Sequence, residues 1–235
     1  YQPSELVSSV RLMMGRRVAG LALVAPELNP AVFLELKESG LSAVVCGTGN
    51  ATGNISIIAM NYVNGMHKVV RYLRSLGHRR LAFVCHDMGV GSAMERKMAF
   101  LDVMGHFPEV EYTLVADCDG PRGGQQATRQ LLASGFKPTA IISANDYMAL
   151  GVLRAVREHG LRVPEELSVT GYDNITLSEF ACPPLTTIDV PRNQIGRMVF
   201  EALVADDGEC QRSGRTFVID PELVVRESTG PVRPQ

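Results

Sequence analysis

Tryptophan is absent from this chain of 235 residues, and aromatic residues make up only 6% of it. A binding site here cannot rest on an indole face, so any ring surface must come from tyrosine or phenylalanine. Paired cysteines are missing as well. The five present, Cys46, Cys85, Cys118, Cys182 and Cys210, are odd in number and widely spaced, with no CxxC and no Cys/His ligand spacing. That excludes a disulfide framework and a structural zinc site. Cys46 and Cys85 lie inside apolar runs and read as small buried hydrophobes. An excess of positive charge is lacking too. The formal net charge is -2, and the densest basic pairs, Arg16-Arg17 and Arg79-Arg80, read as solvated helix ends or turns, so general polyanion binding is not expected.

No signal peptide and no apolar stretch long enough to cross a bilayer is visible, and a reducing cytoplasmic setting without membrane contact is the expectation. Enzyme signatures are equally scarce. No GxGxxG follows a strand, and neither GxxxxGK[ST] nor a GxSxG elbow occurs. His67, His78, His86, His106 and His159 are scattered, and Cys85-His86-Asp87 is a local coincidence of types unless the fold converges them. Gly89-Val90-Gly91-Ser92 has the makings of an anion-binding helix start, but a flexible turn is the favoured reading. Neither catalysis, a cofactor nor a metal is expected.

What the chain does have is alternation. Apolar runs at Val18 to Ala25, Ala43 to Cys46, Ile55 to Met60, Leu81 to Cys85, Tyr112 to Ala116, Ala140 to Ser143 and Leu167 to Thr170 read as strands. Helical patterns separate most of them: Pro30 to Ser39, Asn64 to Leu76, Arg122 to Ala133, and a helix capped by Asn145-Asp146 and stopped at Gly160. A further helix from about Arg192 to Ala205 shows Ile195, Val199 and Leu203 on one face. The class is α/β, with parallel sheets covered on both faces. Asn145 and Asp173 follow successive strands of one βαβ unit, which places both outside the carboxyl ends of the strands, where open sheets bind ligands. With 46% hydrophobic residues and no evident linker, composition alone suggests one domain.

Five segments together resemble the LacI/GalR family of bacterial transcription regulators: LGHRRLAFV at Leu76 to Val84, ANDYMALG at Ala144 to Gly151, GLRVPEELSVTGYDN at Gly160 to Asn174, PPLTTI at Pro183 to Ile188, and ELVVRESTG at Glu222 to Gly230. Their order and spacing carry the resemblance across essentially the whole chain. It implies the effector-binding part of such a regulator: two similar parallel-sheet lobes joined by three crossings, near Gly77, near Asp189 to Arg192 and near Arg215 to Phe217. The first lobe would take residues 1–76 and 190–216, the second 77–189 and 217–235, with a small molecule between them. Relatives begin with a strand and helix that precede Tyr1, so Val18 to Ala25 and Ile55 to Met60 would each lack a ladder neighbour.

The resemblance also singles out side chains. Asn64 opens a helix near Gly65 and is either a cap or a ligand contact. Arg96, Asn145 and Asp173 complete a set of one guanidinium fork, one pure acceptor and two amides, which matches vicinal hydroxyls, so a sugar or polyol effector is expected. Asp173 and Arg96 would pair when no ligand is bound. Cys118 stands where several relatives carry a stacking aromatic, Tyr147 and Tyr172 are the alternative ring faces, and Ala99 replaces a glycine. A homodimer is implied, with Asp146 to His159 and Ser178 to Phe180 near its two-fold contact, exposed Leu and Val of that helix forming the patch. DNA would be reached only through a headpiece absent from this chain. A periplasmic-type sugar carrier of the same architecture is the alternative.

Overall fold

The computed structural model describes residues 3–25, 29–47, 49–86, 91–204 and 214–232. In chain order the elements are α1 (Pro3–Gly15), β1 (Gly20–Val24), α2 (Pro30–Ser39), β2 (Ser42–Cys46), β3 (Ile55–Met60), α3 (Tyr62–Ser75), β4 (Arg80–His86), α4 (Gly91–Gly105) and β5 (Glu111–Asp117). They continue with α5 (Gly120–Ala133), β6 (Ala140–Ser143), α6 (Asp146–Glu158), β7 (Ser168–Asp173), α7 (Thr176–Glu179), β8 (Thr186–Asp189), α8 (Arg192–Val204), β9 (Thr216–Ile219) and β10 (Glu222–Val224). The chain divides into one unit of Tyr1–Met60, Val90–Ser92 and Pro191–Ile219, and a second of Asn61–Gly89, Ala93–Val190 and Asp220–Gln235.

The first unit holds a four-stranded parallel sheet in the order β1-β2-β3-β9. Successive side chains of a strand point to opposite faces. Ala43, Val45, Ile55 and Ile57 therefore share one face with Val10 of α1 and with Val32 and Leu36 of α2. Val44 and Ile58 share the other with Ile195, Val199 and Leu203 of α8. The α2 boundaries follow local chemistry: Asn29 Oδ1 accepts from the Ala31 amide at 2.8 Å, Pro30 occupies the first turn, and Gly40 ends the helix at φ 67°. Ile55–Met60 does not lack a neighbour, contrary to expectation, because the short strand β9 pairs with it opposite β2. Among the described residues β1 pairs with β2 alone.

The second unit carries six strands in the order β10-β8-β7-β6-β4-β5, all parallel except β10. The chain moves outward from β4 to β5 and then back across to β6, β7 and β8, which puts the reversal of strand order between β4 and β6. Ligands of open α/β sheets bind at such a point. Phe83 of β4 stacks on Phe100 of α4, with centroids 4.7 Å apart. On the opposite face α5 and α6 approach so closely that a Cβ on Gly124 would lie 2.1 Å from the Met148 carbonyl oxygen, and one on Gly151 would lie 1.9 Å from that of Pro121. The glycine that closes ANDYMALG is thus a packing requirement.

The first crossing is corrected. Met66, Val69, Val70 and Leu73 of α3 are buried in the core of the second unit, so the division falls at Met60/Asn61 and not near Gly77. The last division falls after Ile219, because β9 belongs to the first sheet. The closing RESTG is also structural. Ser228 Oγ donates to the Val169 carbonyl at 2.6 Å and accepts from the Thr186 amide at 2.8 Å, while Thr229 Oγ1 meets Thr186 Oγ1 at 2.9 Å. Buried His78, of the LGH motif, bridges Thr139 Oγ1 at 2.9 Å and the Gly230 carbonyl at 3.0 Å. No helix among the described residues is long and apolar enough to cross a membrane.

Candidate functional site

The carboxyl edge of the second sheet collects the polar groups. Arg96 projects from α4 and is 7% exposed. Its Nη2 donates to Asp173 Oδ1 at 2.5 Å, and its Nη1 donates to the Ala144 carbonyl at 2.7 Å and, longer, to Asp173 Oδ2 at 3.4 Å. The guanidinium lies 4.1 Å over the Tyr172 ring and 5.5 Å from that of Tyr62, which holds its plane by cation–π contact. Burial opposes the charge on Arg96, but the adjacent Asp173, Tyr62 and Tyr172 together outweigh it and keep the group above its usual range. The expected ion pair is therefore present.

Asp173 ends β7 in an unusual backbone. Its φ is 112° and that of Asn174 is 49°, two successive non-glycine residues in the left-handed half of conformational space. Strain of this kind persists only where surroundings over-determine it. Asn174 Nδ2 donates to Asp189 Oδ1 at 2.7 Å, and its Oδ1 accepts from Arg226 Nη2 at 2.8 Å.

Asn145 is the N-cap of α6. Its Oδ1 accepts from the Met148 amide at 2.8 Å and its Nδ2 donates to Asp119 Oδ1 at 2.9 Å, so the cap also fixes a carboxylate on the loop after β5. Asn64 is not a cap. The helix begins at Tyr62, Asn61 Oδ1 accepts from the Asn64 amide at 3.1 Å, and the Asn64 side chain donates to Asp220 Oδ1 at 2.8 Å. Asn61 joins the same oxygen at 2.7 Å.

The aromatic expectations separate. Tyr172 is 1% exposed, so it presents no ring face; it sits behind Arg96, and burial pushes its phenol up. Among the described residues its hydroxyl has no hydrogen-bond partner, and a Cβ on Gly65 of α3 would come within 2.8 Å of it. Tyr147, on the first turn of α6, is exposed. Cys118 is exposed, and a hydrogen bond to Asp117 raises its thiol, which favours the uncharged form. Ala99 is buried in the core beside Phe100, as a packing residue.

Four contributors were missed by sequence reasoning. Asp119 and Asp220 are reached only through Asn145 and Asn64. The Ala144 carbonyl carries no side-chain signal. Asp146, wholly buried, accepts from the Ile175 amide at 2.9 Å, from Ser178 Oγ at 2.6 Å and from Thr187 Oγ1 at 2.6 Å. Burial raises its carboxyl above the usual range, and the three donors pull it back. Its signal was the acidic residue directly after the Asn145 cap. Among the described residues no group of three His, Cys, Asp or Glu side chains is placed to hold a metal. Asp87, Gly89 and Val90, and with them the two local motifs after β4, lie outside the described residues.

A family profile described as a periplasmic binding protein-like domain matches residues 70–229. The HTH-type transcriptional repressor PurR of Vibrio vulnificus (strain CMCP6) is 30% identical over 228 residues, 93% of this chain and 66% of that protein. The chain thus spans just under two thirds of that relative. A dimeric Lac repressor with an 11-residue C-terminal deletion superimposes with a TM-score of 0.85 at 26% identity, over 99% of this chain and 85% of that one. A complex of the transcriptional regulator CelR with cellobiose gives 0.79 at 26% identity, over 94% and 69%. With its sequence tags, its parallel-sheet units and these likenesses in agreement, the chain belongs to the LacI/GalR family of regulators, as its periplasmic binding protein-like effector-binding domain.

Proposed function

We propose that this domain senses a sugar or polyol at the carboxyl edge of the second sheet, through Arg96, Asp173, Asn145 and Asn64, and so controls DNA binding by a headpiece outside this chain. The Arg96–Asp173 pair carries the reading. It is a fork of donors beside a pure acceptor, held rigid by Tyr172 and Ala144, and a vicinal diol can satisfy both partners at once. The cellobiose complex of CelR supports a saccharide. Cys118 and Tyr147 stand at the periphery of the same edge. Relatives named as repressors favour a regulator working in the cytoplasm over a transport carrier or an enzyme.

A homodimer belongs to the proposal, with a corrected contact. Of the Leu and Val side chains of α6, Val152, Leu153 and Val156 are buried within the chain and only Leu150 is partly exposed, so they offer little of a patch. Most of the exposed apolar surface in these segments comes from Tyr147, Leu177 and Phe180, the last 76% exposed. The dimeric Lac repressor supports the assembly. A thermal-shift panel of sugars, polyols, phosphosugars and nucleobases tests the ligand class. Saturation at a hundredfold the dissociation constant adds about 2.7 kcal/mol of stability, and a stabilising sugar or polyol is expected. A panel in which only nucleobases stabilise would overturn the saccharide assignment. Light scattering at micromolar protein should give a dimer.

A further inference from the structure

We propose that Asp146 is the positioning residue of the effector site: from the face of the sheet opposite Arg96, it fixes the turn after β7 so that Asp173 meets the guanidinium. The inference rests on the reading that Arg96 and Asp173 take the ligand.

Asp146 is wholly buried, and no ion pair reaches it among the described residues. A carboxylate so placed must be compensated by donors. Oδ2 accepts from the Ile175 amide and Ser178 Oγ, and Oδ1 accepts from Thr187 Oγ1, with the first turn of α6 adding the positive end of its dipole. Two of these donors lie in the turn that follows Asp173, and the third lies on the neighbouring strand β8. An ionised carboxylate only accepts, so all three donors are fixed in direction.

The carboxylate also presses against β7 itself. A Cβ on Gly171 would lie 2.1 Å from Asp146 Oδ1, so the glycine two residues before Asp173 leaves the room that Asp146 fills. Side chains alternate along a strand, which sets Gly171 on the face opposite Tyr172 and Arg96. Asp146 thus touches no group that faces the ligand and acts through backbone. The backbone it acts on is the pair of left-handed residues Asp173 and Asn174, a conformation that needs anchors on both sides. Asn174 is tied to Asp189 and Arg226; Asp146 supplies the second anchor. The residue preceding the helix cap adds a direct contact: the Ala144 carbonyl accepts from Arg96, so the start of α6 holds the guanidinium as well as the turn that carries Asp173.

The test uses the ligand-free chain. In Asp146→Ala, amide exchange at Ile175 should quicken at least a hundredfold while Ile142 in β6 and Val152 in α6 stay within tenfold of wild type. The side-chain nitrogen resonances of Arg96 should move to their positions in Asp173→Asn, a change that loss of packing elsewhere would not produce. Asp146→Asn should fall between, because its amide oxygen keeps the Ile175 contact and the Thr187 hydroxyl can turn to accept. Unchanged Arg96 resonances in a folded Asp146→Ala protein would overturn the proposal. Should Asp146→Ala fail to fold, Ser178→Ala and Thr187→Val each delete one donor; a shifted Arg96 signal in both supports the role, and an unshifted one in both refutes it. These readouts need no ligand, so they stand apart from the effector assignment, which fails separately if no panel compound stabilises the wild type.

Discussion

The Arg96–Asp173 pair makes a quantitative prediction. The two side chains are 9% and 26% exposed, so the pair is mostly withdrawn from water. Removing one partner of a fully buried pair costs about 3–5 kcal/mol, chiefly because the other charge is left uncompensated. Water reaches Asp173 and the Ala144 carbonyl still accepts from Arg96, which lowers the expected cost of Asp173→Asn to about 2 kcal/mol. Asparagine is the apt replacement, since it keeps the shape and tolerates a φ of 112°. Arg96→Met removes the buried charge while filling much of its volume. In the double variant no unpaired charge remains, so its loss should fall short of the sum of the single losses by about 1.5–2 kcal/mol. Urea titration followed by amide signals of β6 and β7 reads the second unit alone. With a denaturant slope of about 3 kcal/mol/M, a 2 kcal/mol loss moves the midpoint by about 0.7 M. A loss below about 0.5 kcal/mol, or strict additivity in the double variant, would refute the reasoning.

Three further outcomes follow from buried groups. His78 donates from Nε2 to the Gly230 carbonyl, so Nδ1 accepts from Thr139, and burial lowers its pKa below 6.5. The unfolded chain then binds the proton first, so stability should be flat above pH 6.5 and decline below it; a His78→Gln protein should show a shallower decline in melting temperature between pH 7 and pH 5. Tyr172→Phe deletes a hydroxyl with no partner among the described residues and should leave ligand-free stability unchanged or raise it by up to about 1 kcal/mol in the same urea titration. Gly171→Ala drives a methyl into Asp146 and, less closely, into Leu185, and should cost about 3 kcal/mol, most of it relieved once Asp146 is already alanine.

The strands that carry the site were legible because each is a short apolar run between turn signals, as in Ala140 to Ser143 and Leu167 to Thr170. Edges and partners were not. Thr216–Ile219 is too short and half-exposed to announce a strand, yet it completes the first sheet. The apolar face of α3 was readable, but the sheet it meets is decided by tertiary packing, which is why the first crossing was misplaced. Asn61 and Asn64 are three apart in a sequence where either satisfies capping preference; only geometry shows that Asn61 holds the Asn64 amide. Asp173 was legible because a charge directly after a buried strand requires a partner, whereas Arg96, within α4, was singled out only by the family resemblance. Asp146 was passed over as half of a cap, since its donors at Ile175, Ser178 and Thr187 lie 29 to 41 residues away.

Isothermal titration of the wild type and Asp173→Ala with the strongest stabiliser from the sugar and polyol panel tests the effector assignment most directly. Asp173 offers an acceptor that no neighbour replaces, so one site per chain in the wild type and a loss of at least about 2 kcal/mol, roughly thirtyfold in affinity, are predicted for the variant. An Asp173→Ala protein that is folded and binds the same compound with wild-type affinity would contradict the assignment.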